Sequence, residues 1–196
     1  MTEISRMSLL QSVRKYILFP ISGIALAACS PGAGLSPVPV YDPVQYRLGT
    51  DDEVRLITYG QDQLTSDFRI DSAGDIDIPL LGNVHASGLT TEQLGQQVTA
   101  ALRQKAILRD AKIAVQVTAY RLISIIGEVE HPGQYAYQPG MTMLSAVAAA
   151  GGFTYRSWER YAYTIRQEGN YTVAGLLYPQ NFVKPGDVIK VYERHF

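Results

Sequence analysis

Three closely spaced carboxylates, Asp71, Asp75 and Asp77, are the residues of this sequence best suited to chemistry. Two carboxylates at a suitable separation can hydrolyse a glycosidic bond, and three can bind Ca²⁺. The spacing lacks the Asp-x-Asp-x-Asp-Gly pattern and the distal glutamate of a calcium loop. On a strand, Asp75 and Asp77 share one face. We therefore interpret the cluster as the solvated face of a hairpin and not as a catalytic or metal site.

The other candidates for catalysis or metal binding are isolated in the sequence. They are His85, His131, His195 and Ser145. No two histidines have the spacing of metal ligands, and Ser145 lies outside a Gly-x-Ser-x-Gly motif. We expect His131 to be exposed. The sequence predicts no enzymatic activity, no cofactor and no metal site.

Six aromatic residues in the second half could stack on sugar rings, because each offers an apolar face. They are Tyr155, Trp158, Tyr161, Tyr163, Tyr171 and Tyr178. Tyrosine is also an ordinary strand residue, so we favour packing within strands or between subunits. For the small apolar run of residues 143–150, packing inside the fold is favoured over a contact between subunits.

Residues 1–28 have the composition of a signal peptide. Arg6, Arg14 and Lys15 precede a mostly apolar run of 13 residues, 16–28. A helix needs ~20 residues to span a bilayer, so this run fits the hydrophobic region of a secretion signal instead.

Cys29, the single cysteine of the chain, closes this leader. The sequence Leu26-Ala27-Ala28-Cys29 resembles the bacterial lipobox, which implies lipidation of the thiol, cleavage before Cys29 and acylation of the new amine. Ser30 follows, which under the bacterial sorting pattern favours the outer membrane. The alternatives are an ordinary signal peptide or a buried helix with a stray thiol.

The charge of the chain argues against nucleic-acid binding. Without residues 1–28 the chain keeps 14 basic and 17 acidic residues, with no basic stripe. Residues 29–44 are rich in proline and glycine, which predicts an extended tether between the membrane and the folded part.

Alternation and helical periodicity predict an α+β fold of two small β-rich domains, each a mixed sheet with one helix. In residues 45–120 we expect a strand at 53–59, a hairpin of 68–71 with 75–79, a helix at 91–105 and a strand at 112–120. In residues 121–196 we expect strands at 122–126 and 134–137, a helix from Thr142 to Ala150, a hairpin of 160–166 with 171–174, and a last strand at 188–192.

Two groups of motifs resemble the bacterial outer-membrane polysaccharide export family. Residues 46–49 (YRLG), 52–54 (DEV), 71–74 (DSAG), 76–82 (IDIPLLG) and 88–90 (GLT) are similar to the export domain. Residues 126–129 (IGEV), 132–133 (PG), 144–152 (LSAVAAAGG) and 185–188 (PGDV) resemble the soluble-ligand-binding β-grasp module that follows it. The second domain is therefore expected to be β-grasp-like.

The resemblance implies a lipoprotein held at the outer membrane, with its folded part in the periplasm. It implies an oligomeric ring that forms part of the conduit for capsular or exopolysaccharide. The expected partners are further copies of the chain, an inner-membrane polysaccharide copolymerase and the polysaccharide in transit. The alternative is a monomeric lipoprotein that binds a saccharide or another ligand.

The sequence departs from longer members of the family in two respects. It has one β-grasp module, and no amphipathic helix follows the last predicted strand. We therefore expect a short form that depends on a separate outer-membrane channel. The motif positions expected to shape the backbone are Gly49, Gly74, Pro79, Gly82, Gly127, Pro132, Gly133, Gly151, Gly152, Pro185, Gly186 and Asp187.

Overall fold

The computed structural model of the chain describes residues 31–59, 65–108, 112–169 and 171–194. The predicted leader, Cys29 and His195 lie outside the described residues. The strands are β1 (Glu53–Thr58), β2 (Ser66–Arg69), β3 (Asp75–Ile78), β4 (Gly82–His85), β5 (Ile113–Ala119), β6 (Ile123–Gly127), β7 (Gly133–Tyr135), β8 (Ser157–Glu168), β9 (Tyr171–Leu177) and β10 (Val188–Glu193). The α-helices are α1 (Thr91–Gln104) and α2 (Met143–Ala149). Among these described parts, no helix is long and apolar enough to cross a bilayer.

The first domain has two small antiparallel sheets and one helix. Strands β2, β1 and β5 form one sheet in that order, and β3 pairs with β4 in the other. The predicted hairpin of 68–71 with 75–79 is wrong, because β2 pairs with β1 while β3 pairs with β4. The turn at residues 71–74 reverses the chain as expected. A local turn signal does not decide which edge each strand pairs with, and β1 offers β2 an edge from an earlier part of the chain.

Helix α1 forms where the sequence predicts it, and Thr90 and Gln93 cap its start. The Thr90 hydroxyl accepts from the Gln93 amide, and the Gln93 side chain accepts from the Thr90 amide. Leu94 and Val98 are buried against the sheet. Gly95 is buried too, and a Cβ there would lie 3.2 Å from the carbonyl oxygen of Ile113. This glycine in the helix interior lets α1 lie close to β5.

The second domain is a five-stranded mixed sheet with α2 packed on one face. The order is β7-β6-β10-β8-β9, with β6 and β10 parallel and the other pairs antiparallel. Met143, Ala146 and Val147 of α2 are buried in the core. The fold class is therefore confirmed as α+β with a β-grasp-like second domain. The expected mixed sheet occurs in this domain only, because the described strand pairs of the first domain are antiparallel.

The sequence predicts an extended tether in this region, but residues 31–41, which we name the strap, dock on the second domain. Pro37 forms a parallel bridge with Leu176, and the amide of Val38 donates to the Leu176 carbonyl at 2.9 Å. Val38 is 4% exposed and joins the core of the second domain. Gly175 makes room, because a Cβ there would lie 2.3 Å from the carbonyl oxygen of Ser36. Proline and glycine favour an extended chain, but the β9 edge offers that chain a partner.

Candidate functional site

Several motif residues meet at the junction of the two domains, around the buried carboxylate of Asp52. Asp52 is 0% exposed. Its carboxylate accepts from the Gly49 amide at 2.8 Å, from the Arg121 amide at 2.9 Å and from the Tyr46 hydroxyl. These bonds connect the turn before β1 to the chain that enters the second domain.

The side chain of Arg121 extends across the junction. Its Nε donates to the carbonyl of Pro185 at 2.8 Å, and its Nη1 lies 3.8 Å from Oδ2 of Asp52. A Cβ at Gly49 would lie 1.6 Å from Nη1, and a Cβ at Gly186 would lie 2.9 Å from Nε. Gly49 and Gly186, one from each motif group, therefore leave the space that Arg121 occupies.

A second buried carboxylate, Asp187, forms an ion pair with Arg166 inside the second domain. The two side chains are 1% and 0% exposed, and Nη2 donates to Oδ2 at 2.7 Å. Arg166 also donates to the carbonyls of Pro39 at 2.7 Å and Phe182 at 3.1 Å. Burial raises the pKa of the Asp187 carboxyl, and the guanidinium of Arg166 opposes that rise. The pair ties the strap to the turn before β10.

Four tyrosines line the junction beside these ion pairs. The rings of Tyr46, Tyr120 and Tyr137 pack edge to face in a row, with centroids 5.0 and 5.3 Å apart. Tyr41, in the strap, has its ring centroid 5.9 Å from the Arg166 guanidinium. Burial raises the pKa of all four phenols, and the Asp52 carboxylate adds to the rise at Tyr46 and Tyr120. The row of Tyr46, Tyr120 and Tyr137 joins the first domain to the second domain.

This arrangement suits a structural joint. The oxygens of Asp52 and Asp187 accept hydrogen bonds from backbone amides and from side chains of the fold itself. Carboxylates engaged in this way hold neighbouring segments in place. Sequence reasoning missed Asp52, Arg121 and Arg166 as individual residues. A cation at the predicted domain boundary, between two glycine turns, is the sequence signal that could have identified Arg121.

The three clustered carboxylates of the first domain have separate local roles. Asp71 caps its own turn by accepting from the amides of Ala73 and Asp75, both at 2.9 Å. Asp75 pairs with His85 across β3 and β4 at 2.7 Å, and Asp77 is exposed. Within the described residues, no group of three or more His, Cys, Asp or Glu side chains is placed to bind a metal ion.

Two further candidates from the sequence also have local roles. The Ser145 hydroxyl bonds to the amide of Thr142 at 2.7 Å and completes the cap of α2. His131 is exposed, as predicted, and its ring lies beside Gly151.

The predicted aromatic residues separate into a packed group and an exposed group. Tyr161 packs edge to face against Trp158, Tyr178 and Tyr192, with centroids 5.8 to 6.3 Å apart. Tyr155 and Tyr171 are 86% and 65% exposed. The packed group holds the strap, because the Tyr161 hydroxyl donates to the Pro31 carbonyl at 2.6 Å.

The turn glycines differ in how strongly the fold constrains them. Positive φ angles occur at Gly74, Gly82, Gly127, Gly151, Gly152 and Gly186. At Gly127 φ is 89°, and a Cβ would lie 2.1 Å from the carbonyl oxygen of Val191. Gly133 was expected to be constrained in the same way, but a Cβ there would meet only the Tyr135 ring, at 3.8 Å. Gly133 begins β7, so the steric argument for glycine is weaker there, and its role in shaping the backbone stays a prediction.

Comparison with known proteins gives two adjoining matches. Residues 40–118 match the family model described as polysaccharide biosynthesis/export protein, and residues 122–175 match that of the SLBB domain. The gap between the two matches, residues 119–121, includes Arg121.

Two relatives carry names that concern polysaccharides. The exopolysaccharide production protein ExoF of Rhizobium meliloti (strain 1021) is 30% identical over 119 residues, covering 55% of this chain and 28% of the relative. The EPS I polysaccharide export outer membrane protein EpsA of Ralstonia solanacearum is 25% identical over 183 residues, covering 76% of this chain and 48% of the relative. The matches thus span about half or less of each relative. With both domain types matched in order on either side of Arg121, the chain belongs to the polysaccharide export protein family.

Proposed function

We propose that this protein is a lipoprotein of the outer membrane that forms an oligomeric part of the conduit exporting capsular or exopolysaccharide. The observation that carries the proposal is the coupling of an export domain to an SLBB domain through Asp52, Arg121 and Pro185. A conduit wall built from repeated copies needs each copy to present its two domains in a fixed relation. The polar joint provides that relation.

The anchor in this proposal is Cys29, acylated after removal of residues 1–28. Acyl chains on one residue hold a protein at a membrane when more than one chain is present. Mass spectrometry of the protein purified from membranes tests this, with Cys29→Ser as the matched variant. The expected result is a lipid-modified Cys29 in the unchanged protein and membrane release of the variant.

Deletion of the protein tests the transport role directly. We expect polysaccharide to accumulate in the periplasm while surface polysaccharide disappears, and the unchanged chain to restore export. Normal surface polysaccharide in the deletion strain would contradict the proposal. An Arg121→Ala variant that is stable and membrane-bound but exports poorly would assign the defect to the joint.

The proposed partners are further copies of the chain, an inner-membrane polysaccharide copolymerase and a separate outer-membrane channel. Native mass spectrometry of the detergent-solubilised protein tests self-assembly, and a strictly monomeric protein at high concentration would contradict it. Crosslinking in intact cells tests the other two partners.

An open groove between α1 and β5 supports the alternative of a ligand-binding lipoprotein. Its volume is about 750 Å³, and polar side chains including Glu92, Gln96, Arg103 and Lys112 line it. Calorimetry with oligosaccharides of the exported polymer distinguishes the two functions. Tight 1:1 binding that is lost in Arg103→Ala would favour the alternative, because a conduit needs weak contacts with the chain it transports.

A further inference from the structure

The start of the described chain is held at one place on the second domain. The Pro31 carbonyl accepts from the Tyr161 hydroxyl at 2.6 Å. Gly32 lies against the next ring, since a Cβ there would be 3.1 Å from the hydroxyl oxygen of Tyr192. From Ser36 onward the strap runs along β9. The aromatic group around Tyr161 therefore marks where the N-terminal side of the chain meets the folded body.

The proposed lipid anchor must lie close to this group. Cys29 precedes Pro31 by two residues, and an extended chain spans roughly 3.5 Å per residue. Acyl chains on Cys29 would therefore enter the bilayer within about 7 Å of Pro31. The strap leaves no length of chain with which the body could stand away from the membrane.

The surface beside this anchoring point has the composition of a membrane contact. We name the exposed Tyr155, Arg156, Arg160 and Arg194, together with the half-buried Trp158, the aromatic–basic patch. The Arg160 guanidinium lies over the Trp158 ring at 5.4 Å, and Arg194 donates to the Tyr155 carbonyl at 3.2 Å. Trp and Tyr concentrate at membrane interfaces, and arginines are attracted to anionic headgroups.

The charge of this stretch is also favourable. Glu159 and Glu193 accompany the three arginines, and Glu193 is paired with Arg156. The stretch thus has a net positive charge, whereas the chain from Cys29 onward has 14 basic and 17 acidic residues.

We propose that the aromatic–basic patch rests on the headgroups of the phospholipid bilayer to which Cys29 is anchored. The inference rests on the proposed lipidation of Cys29 and adds an orientation to it. The first residues of β8 then face the membrane, and the second domain lies directly against the headgroups. The two-domain body is then held at the membrane by acyl chains and by a protein surface together.

The single tryptophan of the chain makes the contact measurable, because Trp158 lies within the patch. The full-length protein is expressed with its own leader, purified from membranes and reconstituted into phosphatidylethanolamine–phosphatidylglycerol vesicles. Some vesicles carry acyl chains brominated near the headgroup, which quench nearby indoles. We expect a blue shift of the Trp158 emission and loss of most of its intensity in the brominated vesicles.

A matched variant moves the reporter along the same strand pair. In Trp158→Phe with Tyr171→Trp, the indole lies at the far end of β8 and β9, roughly 30 Å away at 3.3 Å per strand residue. We expect no quenching at this position. Arg160→Glu keeps the native reporter, changes only an exposed side chain and should reduce the quenching of Trp158. This variant provides the test if the double variant folds poorly.

The outcomes separate this proposal from the proposed anchorage. Acyl chains on Cys29 together with an unquenched Trp158 would overturn the patch contact and leave the anchorage intact. Absence of acyl chains would overturn both. Equal quenching of the two reporters would also overturn the proposal, as would a concentration-dependent shift of Trp158 emission in detergent without lipid, which would identify the patch as a contact between copies.

Discussion

The two buried carboxylates of this protein, Asp52 and Asp187, have the same local geometry and different partners. Each ends a turn that leads into a strand, β1 or β10. Each accepts from the backbone amide three residues earlier at 2.8 Å, from Gly49 in one case and Lys184 in the other. Each turn also contains a glycine that faces the Arg121 side chain.

The cation beside each carboxylate makes the difference. Arg166 is fully buried with Asp187, and the Nη2–Oδ2 distance is 2.7 Å. Arg121 is 19% exposed and its Nη1 lies 3.8 Å from Asp52, which instead receives neutral donors. A guanidinium shielded from water needs a paired carboxylate, because an unpaired buried charge is costly. A partly hydrated guanidinium can instead extend across the boundary between two domains. The same turn therefore completes a core in one place and joins two domains in the other.

Removal of the Asp187 carboxylate should have the largest effect on stability. Asp187→Ala leaves the Arg166 guanidinium buried without a counter-charge, which typically costs about 3–5 kcal/mol. Urea denaturation of the full chain measures the loss of unfolding free energy. The Asp187→Ala substitution should also release the strap, because Arg166 would no longer be held toward the Pro39 carbonyl. Faster proteolysis near residues 33–40 would detect this release.

Two control variants sharpen this prediction. Asp77→Ala removes an exposed carboxylate and should change the unfolding free energy by less than about 0.5 kcal/mol. Arg166→Met with Asp187→Leu removes both charges and should recover much of the stability, since apolar replacement of a buried pair is often neutral. A single Asp187→Ala variant as stable as the Asp77→Ala variant would end the distinction between the two carboxylates.

Asp52→Ala should have an intermediate effect. Three donors lose their acceptor, the amides of Gly49 and Arg121 and the Tyr46 hydroxyl, and we expect a loss of about 2 kcal/mol. The loss should be smaller than at Asp187, because Arg121 can hydrate. The distinctive result is faster proteolysis between residues 119 and 122 while each domain keeps its secondary structure by circular dichroism. Unchanged cleavage there would show that Asp52 serves the first domain alone.

The space that Gly49 leaves for Arg121 should appear as a coupling in a double-mutant cycle. Gly49→Ala would displace the Arg121 side chain, so we expect a loss of about 1 kcal/mol, close to that of Arg121→Ala. In the double variant the clash is gone, and the total loss should not exceed that of either single change. Additive losses in denaturant unfolding would mean that Gly49 acts through its own backbone instead.

The junction tyrosines should show the smallest effect, confined to alkaline solution. Burial raises the pKa of the four junction tyrosines, Tyr41, Tyr46, Tyr120 and Tyr137, above the usual ~10, and it does the same for Tyr192 in the group around Tyr161. Their contribution to stability is therefore complete below pH 10 and is lost as the pH rises further. Absorbance at the tyrosinate band should show at least five of the 13 tyrosines titrating late, together with unfolding. Titration of all 13 near pH 10 with the fold intact would contradict this.

The sequence predicted most elements whose cause is local. Thr90 and Thr142 cap helices because their hydroxyls reach an amide three residues on. The alternation of Val54, Leu56 and Thr58 identified the buried face of β1. The order of the motifs identified the family, because the Pro-Gly and Gly-Gly turns follow one another along the chain in the order that the family shows. Lipidation of Cys29 and the oligomeric state remain predictions.

Tertiary structure alone decided the contacts between residues far apart in the chain. Strand pairing of β2 and β3, the docking of the strap on β9 and the position of Arg121 between Gly49 and Gly186 depend on which surfaces meet after folding. Hydrogen-bonding capacity and turn preference are properties of single residues and their neighbours, so they can be read from sequence. The space around a side chain and the identity of its contacts depend on backbone positions that folding brings together. The need for glycine at position 49, beside Arg121 that lies 72 positions away in the chain, is therefore visible only in three dimensions.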